Sequence, residues 1–158
     1  MAHDHRNLQL SDVLAREAIR ETIAEYNGAT DRGDLSGVAA CFTADGSLQI
    51  ADDDPIPRAT IAETLATVLT DAAGDRPPPA YVHHHVSTTR FTAIANGDVR
   101  TDSYFVVFTQ IGADHWGRYR DVHALEDHDW RIRTRRILTD GFAPLSLLKP
   151  SDPANRPE

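Results

Sequence analysis

The sequence predicts a single α+β domain, in which helices come first and antiparallel strands follow. Apolar residues recur at helical spacing in the first half of the chain, whereas apolar and polar residues alternate in the second half. The length of 158 residues is close to that of one domain. A long curved sheet wrapped over helices would form a cone with one open mouth, which is a natural pocket for a small molecule.

We expect three helices in the first half of the chain. Ser11 is a suitable cap for a helix that runs to about Asp31, and Gly33 is a plausible stop. The apolar stripe of this helix contains Ala15, Ile19, Ile23 and Tyr26. Shorter helices are predicted over 35–42 and 59–73, separated by a strand over 47–50.

The residue pattern in the second half of the chain predicts two hairpins. Alternating segments over 81–95 and 99–111 flank Asn96-Gly97, a strong signal for a tight turn. The second hairpin is expected to pair 117–126 with 130–140. We place the folded domain at residues 11–145, after a disordered N-terminus (1–10) and before a flexible, proline-rich tail (146–158).

The composition of the chain argues against several classes of function. The net charge is −8, which argues against binding to nucleic acid or to anionic membranes. The single cysteine, Cys41, excludes a disulfide framework, and no apolar run approaches the ~20 residues of a membrane span. The N-terminal residues have no apolar core of a signal peptide, so we expect a cytoplasmic protein.

Three consecutive histidines, His83, His84 and His85, fall in the first long strand. Because strand residues alternate between faces, the three cannot bind one metal, and His84 is the one on the apolar, inward face. An inward histidine is more often a hydrogen-bonded core residue than a catalyst. A partner carboxylate would reverse that balance, because a His–Asp pair is a standard general base.

Asp31 is one such carboxylate. It lies near the C-terminal end of the first helix, where negative charge opposes the helix macrodipole, although a solvated acid is an equal alternative. Four arginines crowd the last strand, where charge usually marks a solvated face. Ile132 and Ile137 have opposite parity, which predicts a bulge or a switch of face between them. If Ile137 faces inward, Arg135 does too, and it could stabilise negative charge.

A second polar cluster lies on the predicted strand over 117–126 and just before it, and its members are His115, Trp116, Tyr119, Asp121 and His123. It could form a pocket wall or an oligomer interface. Its spacing matches no trusted metal motif, and the chain has no glycine-rich phosphate loop. We therefore expect neither a metal nor a nucleotide cofactor.

Three segments together resemble the SnoaL-like branch of the nuclear transport factor 2-like superfamily. They read REAIRETIAEYNGATDRGDLSGVAACFTADGSLQI, HHHVSTTRFTAIANGDVRTDSYFVVF and HWGRYRDVHALEDHDWRIRTRRILTD. The motifs Y-x4-D-x-G-D, F-x-x-D-G, H-x-V-S, G-R-Y-x-D and W-R-I-x-x-R follow in that order. The resemblance implies a cone-shaped α+β barrel.

The similar enzymes of that superfamily are scytalone dehydratase, hexachlorocyclohexane dehydrochlorinase and bile acid dehydratase. The resemblance implies a cofactor-independent lyase that abstracts a proton from a small, apolar, cyclic substrate. It assigns catalytic roles to Asp31, His84 and Arg135, with Asp31 in hydrogen-bond reach of His84 inside a closed pocket. The residues expected to contact substrate are Tyr26, Thr88, Trp116 and Tyr119; Thr88 stands where the family often has asparagine.

Two alternatives stay open. An isomerase or cyclase would use the same proton abstraction, and a non-catalytic member would bind a ligand or serve as an oxygenase β-subunit-like module. The resemblance also implies a homodimer or homotrimer.

Overall fold

The structure, a computed structural model, describes residues 9–73, 77–95 and 97–149. One six-stranded sheet forms most of the domain. Its strands are β1 (Phe42–Ile50), β2 (Ile56–Pro57), β3 (His83–Ala95), β4 (Asp98–Thr109), β5 (Gly112–Glu126) and β6 (Asp129–Phe142). Their order across the sheet is β2-β1-β6-β5-β4-β3. β1 runs parallel to β6, so the predicted all-antiparallel sheet is a mixed one.

The helices come first along the chain, as predicted, and are α1 (Leu10–Asp31), α2 (Leu35–Ala40) and α3 (Ile61–Ala73). α1 begins before the predicted cap Ser11, at a turn where Asp12 accepts the backbone N–H of Gln9. A 3-10 turn over Arg58–Thr60 precedes α3. Gly33 takes a left-handed φ of +68° directly after α1, which lets the chain reverse into α2.

The sheet curves around α1. This helix contacts β6 in the middle of the sheet and also the edge strand β3, three strands away. Its buried side chains Ile19 and Ile23 pack on Phe91 and Val99, whereas Tyr26 packs with Phe42 and other residues beneath α2 and α3. The α+β class and the cone-like arrangement are confirmed.

Two β-bulges decide which side chains face the interior. In β6, Val122 pairs with Thr134 and His123 with Ile132, so Arg133 is an extra residue. This is the predicted bulge, and it lets Ile132 and Arg135 both be buried. In β3, Ser87 pairs with Tyr104 and Arg90 with Asp102, which leaves one extra residue at Thr88 and Thr89.

The segment after β6 differs from the predicted tail. Ser146 is buried, and Leu148 packs against Phe105 and Val107 on the inward face of the sheet. The folded domain therefore extends beyond residue 145. The predicted disordered N-terminus and the rest of the tail fall mainly in residues 1–8 and 150–158, outside the described residues. None of the described helices is long and apolar enough to cross a membrane.

Candidate functional site

The structure brings the side chains of Asp31 and His84 together. Oδ1 of Asp31 lies 2.6 Å from Nδ1 of His84. The carboxylate also accepts the backbone N–H of His84, at 3.1 and 3.2 Å from its two oxygens. Asp31 is the last residue of α1, and His84 is the second residue of β3. The dyad therefore joins the C-terminal end of the helix to the sheet edge.

Edge-strand geometry explains why this contact forms. β3 has a neighbouring strand on one side only, so the N–H groups on its other side need a different acceptor. Asp31 supplies that acceptor to His84. Burial by itself raises the pKa of the Asp31 carboxyl, but the hydrogen bonds from the ring and backbone of His84 outweigh it and leave the pKa below its usual value.

The protonation pattern of the imidazole follows from the same contact. An ionised carboxylate only accepts hydrogen bonds, so Nδ1 of His84 carries the proton that it donates to Asp31. In the neutral imidazole Nε2 then holds the lone pair, and no hydrogen bond to Nε2 is formed among the described residues. Nε2 is the atom that can take a proton from a ligand.

A cleft of about 460 Å³ lies beside the dyad, between α1 and β3. This volume is within the range of about 300–1,000 Å³ that is usual for ligand pockets. The side chains of His84 and Asp31 retain 11% and 22% of their exposure, so the cleft is open to solvent and not closed as expected. Its lining residues are Arg20, Ile23, Ala24, Asn27, Gly28, Asp31, His84, Val86 and Thr89.

Arg135 faces inward as predicted, but it pairs with Asp121 and does not line the cleft. Its Nε and Nη2 donate to the two oxygens of Asp121, at 3.0 and 2.7 Å, and both side chains are fully buried. The guanidinium lies between the rings of Tyr26 and Tyr119, 4.0 and 4.2 Å from their centroids. Burial lowers the pKa of Arg135, but Asp121 outweighs it and raises the pKa above its usual value.

Tyr26 and Tyr119 belong to this buried cluster and do not line the cleft, contrary to their predicted contact with substrate. The Tyr119 hydroxyl donates to Oδ1 of Asn27 at 3.3 Å, and Asn27 in turn lines the cleft. Burial raises the pKa of both phenols, which keeps them neutral. Asn27 thus separates the dyad from the Arg135–Asp121 pair.

Two of the residues predicted to contact substrate lie outside the cleft. Thr88 is exposed at a φ of +53°, because the bulge in β3 turns it away from the cleft and puts Thr89 there instead. Trp116 lies on the outer face, 42% exposed, with its ring against Gly141.

The three histidines separate as strand alternation predicts. His84 points inward, whereas His83 stacks on Tyr81 and His85 contacts Phe108 on the outer face. Among the described residues, no three His, Cys, Asp or Glu side chains are grouped so that they could hold a metal ion.

Sequence reasoning missed the cleft residues Asn27 and Arg20. Asn27 precedes Asp31 by four residues and Arg20 precedes it by eleven, so all three lie on one stripe of α1. The resemblance had already placed Asp31 in the site, and the helical spacing from Asp31 could have identified both residues. Cys41 is no nucleophile in this site, because burial raises the pKa of its thiol to about 11.

The fold and site define a member of the nuclear transport factor 2-like superfamily, in which a curved sheet and helices enclose a small-molecule site. Within it, the chain belongs to the SnoaL-like domain family, which matches residues 11–136. Among curated proteins, none matches the sequence significantly.

Solved structures with this fold share little sequence with the chain. A candidate scytalone dehydratase from Novosphingobium aromaticivorans has 18% identity and a TM-score of 0.71, over 93% of this chain and 97% of that one. ActVI-ORFA from Streptomyces coelicolor has 22% identity and a TM-score of 0.67, over 79% and 96%. The β subunit of a candidate aromatic-ring-hydroxylating dioxygenase from N. aromaticivorans has 18% identity and a TM-score of 0.67, over 90% and 99%.

Proposed function

We propose that the protein is a cofactor-independent lyase of the dehydratase type, acting on a small, apolar, cyclic substrate. The observation that carries the proposal is the contact between Asp31 and His84 at the end of a ligand-sized cleft. Membership of the SnoaL-like family and structural likeness to a candidate scytalone dehydratase support it. Such likeness concerns the fold alone, so the reaction rests on the site.

The reaction begins when Nε2 of His84 takes a proton from a carbon of the substrate. The C–H electron pair forms a carbon–carbon double bond, and the bond from the adjacent carbon to hydroxyl breaks. The departing hydroxide takes the proton back from the imidazolium and leaves as water. Asp31 orients the ring and stabilises the imidazolium while it carries the proton. General-base help of this kind contributes about 10²–10⁴-fold to the rate.

Arg135 has a supporting role in this proposal. It does not line the cleft, and Asp121 occupies two of its donors. Through the rings that enclose it, Arg135 fixes Tyr119, whose hydroxyl orients Asn27 at the wall of the cleft.

An isomerase or cyclase is the alternative, because the same base can move a proton without expelling water. The test must therefore detect proton abstraction separately from elimination. Bicyclic β-hydroxyketones and β,γ-unsaturated ketones, incubated with the protein in D2O, report both. Exchange of the α-proton appears by NMR, and formation of a conjugated enone appears by absorbance.

We expect wild-type protein to accelerate exchange on at least one of these ketones and to convert a β-hydroxyketone to the enone. His84→Gln should lose about 10²-fold or more of both rates. His85→Gln is the matched control, since His85 lies on the outer face of the same strand, and it should retain them. Enone formation from the unsaturated ketones alone would assign an isomerase. Equal rates for the His84 and His85 variants would contradict the dyad mechanism.

A further inference from the structure

The cleft extends well beyond the dyad along α1. Arg20, Ala24, Asn27, Gly28 and Asp31 recur every three or four residues and form one stripe that lines it. At 1.5 Å per residue, Arg20 lies about 16 Å along the helix axis from Asp31. Ala24 and Gly28 have little or no side chain, so the groove between the two ends stays open.

Two arginines lie toward the end opposite the dyad: Arg20 lines the cleft, and Arg16 precedes it by about one helical turn. The guanidinium of Arg20 lies 5.0 Å from the centroid of the Phe91 ring, and that of Arg16 lies 5.1 Å from the same centroid. Like charges four residues apart on a helix repel each other. An anion bound between them would remove that repulsion.

The groups already near these arginines leave room for such an anion. Arg20 has one ion pair, with Glu17 at 3.4 Å, and both side chains are at least half exposed. Nε of Arg16 is buried without a hydrogen-bond partner among the described residues. Guanidinium groups bind carboxylates and phosphates through two parallel hydrogen bonds.

The wall between the two ends is apolar in part. Ile23 from α1 and Val86 from β3 line the cleft on opposite sides. A ligand that spans the cleft therefore meets the dyad at one end, Asn27 and apolar side chains in the middle, and Arg20 at the other end.

We propose that the substrate is an elongated, apolar molecule with an anionic group, a carboxylate or a phosphate, at the end remote from the reacting carbon. The anion binds at Arg20 and Arg16, and this places the reacting carbon at His84. The inference rests on the proposed function for the position of the reacting carbon, but the anion site can be tested by binding alone.

The probes are three naphthalenes with the same five-carbon chain, which ends in a carboxylate, a phosphate or a primary amide. Fluorescence anisotropy gives the Kd of each. We expect wild-type protein to bind at least one anionic probe about tenfold more tightly than the amide, a difference of about 1.4 kcal/mol. The tighter of the two anions identifies the group. Arg20→Gln should abolish the preference and Arg16→Gln should reduce it.

Arg120→Gln is the matched control, because Arg120 is exposed on the outer face of β5, and it should keep the preference. Equal affinity of all three probes for the wild type, or loss of the preference in the Arg120 variant and not in the Arg20 variant, would overturn the proposal. His84→Gln should keep the preference while losing proton exchange. If the preference holds but wild-type protein exchanges no proton, the lyase function fails and the anion site stands.

Discussion

Asp121 and Arg135 form a two-point ion pair that is completely enclosed by the fold. The two residues lie opposite each other on β5 and β6, and no part of either side chain reaches solvent. Nη1 of Arg135 is buried without a partner among the described residues. Removing a charge from water is costly, so each member of the pair depends on the other for its stability.

Arg135→Met should therefore destabilise the protein, because it leaves the carboxylate of Asp121 buried without its partner. We expect a loss of about 3–5 kcal/mol in the free energy of unfolding, measured by urea denaturation. The double variant Arg135→Met/Asp121→Leu should recover a large part of this loss, since neither charge then remains.

Arg118→Met provides the control for this experiment. Arg118 and Asp140 also form a two-point pair, with donor–acceptor distances of 2.7–3.1 Å, but both side chains are about 40% exposed. Solvent screens such a pair, so its loss should cost less than about 1 kcal/mol. Similar losses of unfolding free energy in Arg135→Met and Arg118→Met would show that the buried Asp121–Arg135 pair matters no more for stability than an exposed pair.

Local patterns predicted much of this fold. Helical spacing located α1, and strand alternation placed His84 on the inward face apart from His83 and His85. The parity conflict between Ile132 and Ile137 predicted the bulge in β6. The 2.6 Å contact of Asp31 with His84 agrees with the expected proximity, although the catalytic role of the pair stays a prediction.

Other features depend on contacts that no local pattern encodes. The parallel pairing of β1 with β6 joins segments that are far apart in the chain. The acid that pairs with Arg135 is Asp121 on the neighbouring strand, and that pairing depends on the sheet register. The bulge in β3 has no parity conflict to reveal it. Thr88 was predicted from the family resemblance, and the bulge places Thr89 in the cleft instead.

Thr88→Gly should stabilise the protein. Thr88 has a φ of +53°. This conformation is unfavourable for a β-branched residue, whereas glycine adopts it without steric strain. We expect a gain of about 0.5–1 kcal/mol in the free energy of unfolding. Thr89→Gly, one residue further along β3, should instead be destabilising, because a glycine within a strand loses conformational entropy on folding. A loss of stability at both positions would contradict the proposed strain at Thr88.

The free energy of unfolding should fall as the pH drops from 7.5 to 5, in part because His123 titrates differently in the folded and unfolded chains. Burial lowers the pKa of this histidine from 6.5 to about 4. The unfolded chain therefore binds a proton below pH 6.5 that the folded protein does not bind until about pH 4, so acid favours unfolding in that window. The expected loss from this residue is about 2 kcal/mol at pH 5.

The measurement is the difference in unfolding free energy between pH 7.5 and pH 5, for wild-type protein and for His123→Asn. His123 is fully buried, and its Nε2 lies 3.1 Å from Oγ1 of Thr101. The variant is expected to be less stable at pH 7.5, but its stability should depend less on pH. Burial also lowers the pKa of His115, so some dependence should persist. Parallel pH profiles would exclude His123 as a source of acid sensitivity.

Asp114 should hold the segment that follows β6, residues 143–149, in its folded position. Its buried carboxylate accepts the Ser146 hydroxyl at 2.6 Å and the Leu147 backbone N–H at 2.7 Å, and His115 contacts it at 3.0 Å. Burial raises the pKa of Asp114, but the hydrogen bonds from Ser146, Leu147 and His115 outweigh it and keep the group ionised. Asp114→Ala removes the acceptor, and we expect a loss of about 3 kcal/mol in the free energy of unfolding.

Amide hydrogen exchange can separate this local effect from a general loss of stability. The N–H of Leu147 depends on the Asp114 side chain, whereas the N–H of Ala143 bonds to the backbone oxygen of Asp114 at 2.7 Å. In Asp114→Ala, exchange at Leu147 should therefore rise by more than exchange at Ala143, because the backbone acceptor is still present. Asp114→Asn retains one acceptor oxygen and should give an intermediate result. Equal increases at Leu147 and Ala143 would mean that the whole domain loosens and that Asp114 does not anchor this segment.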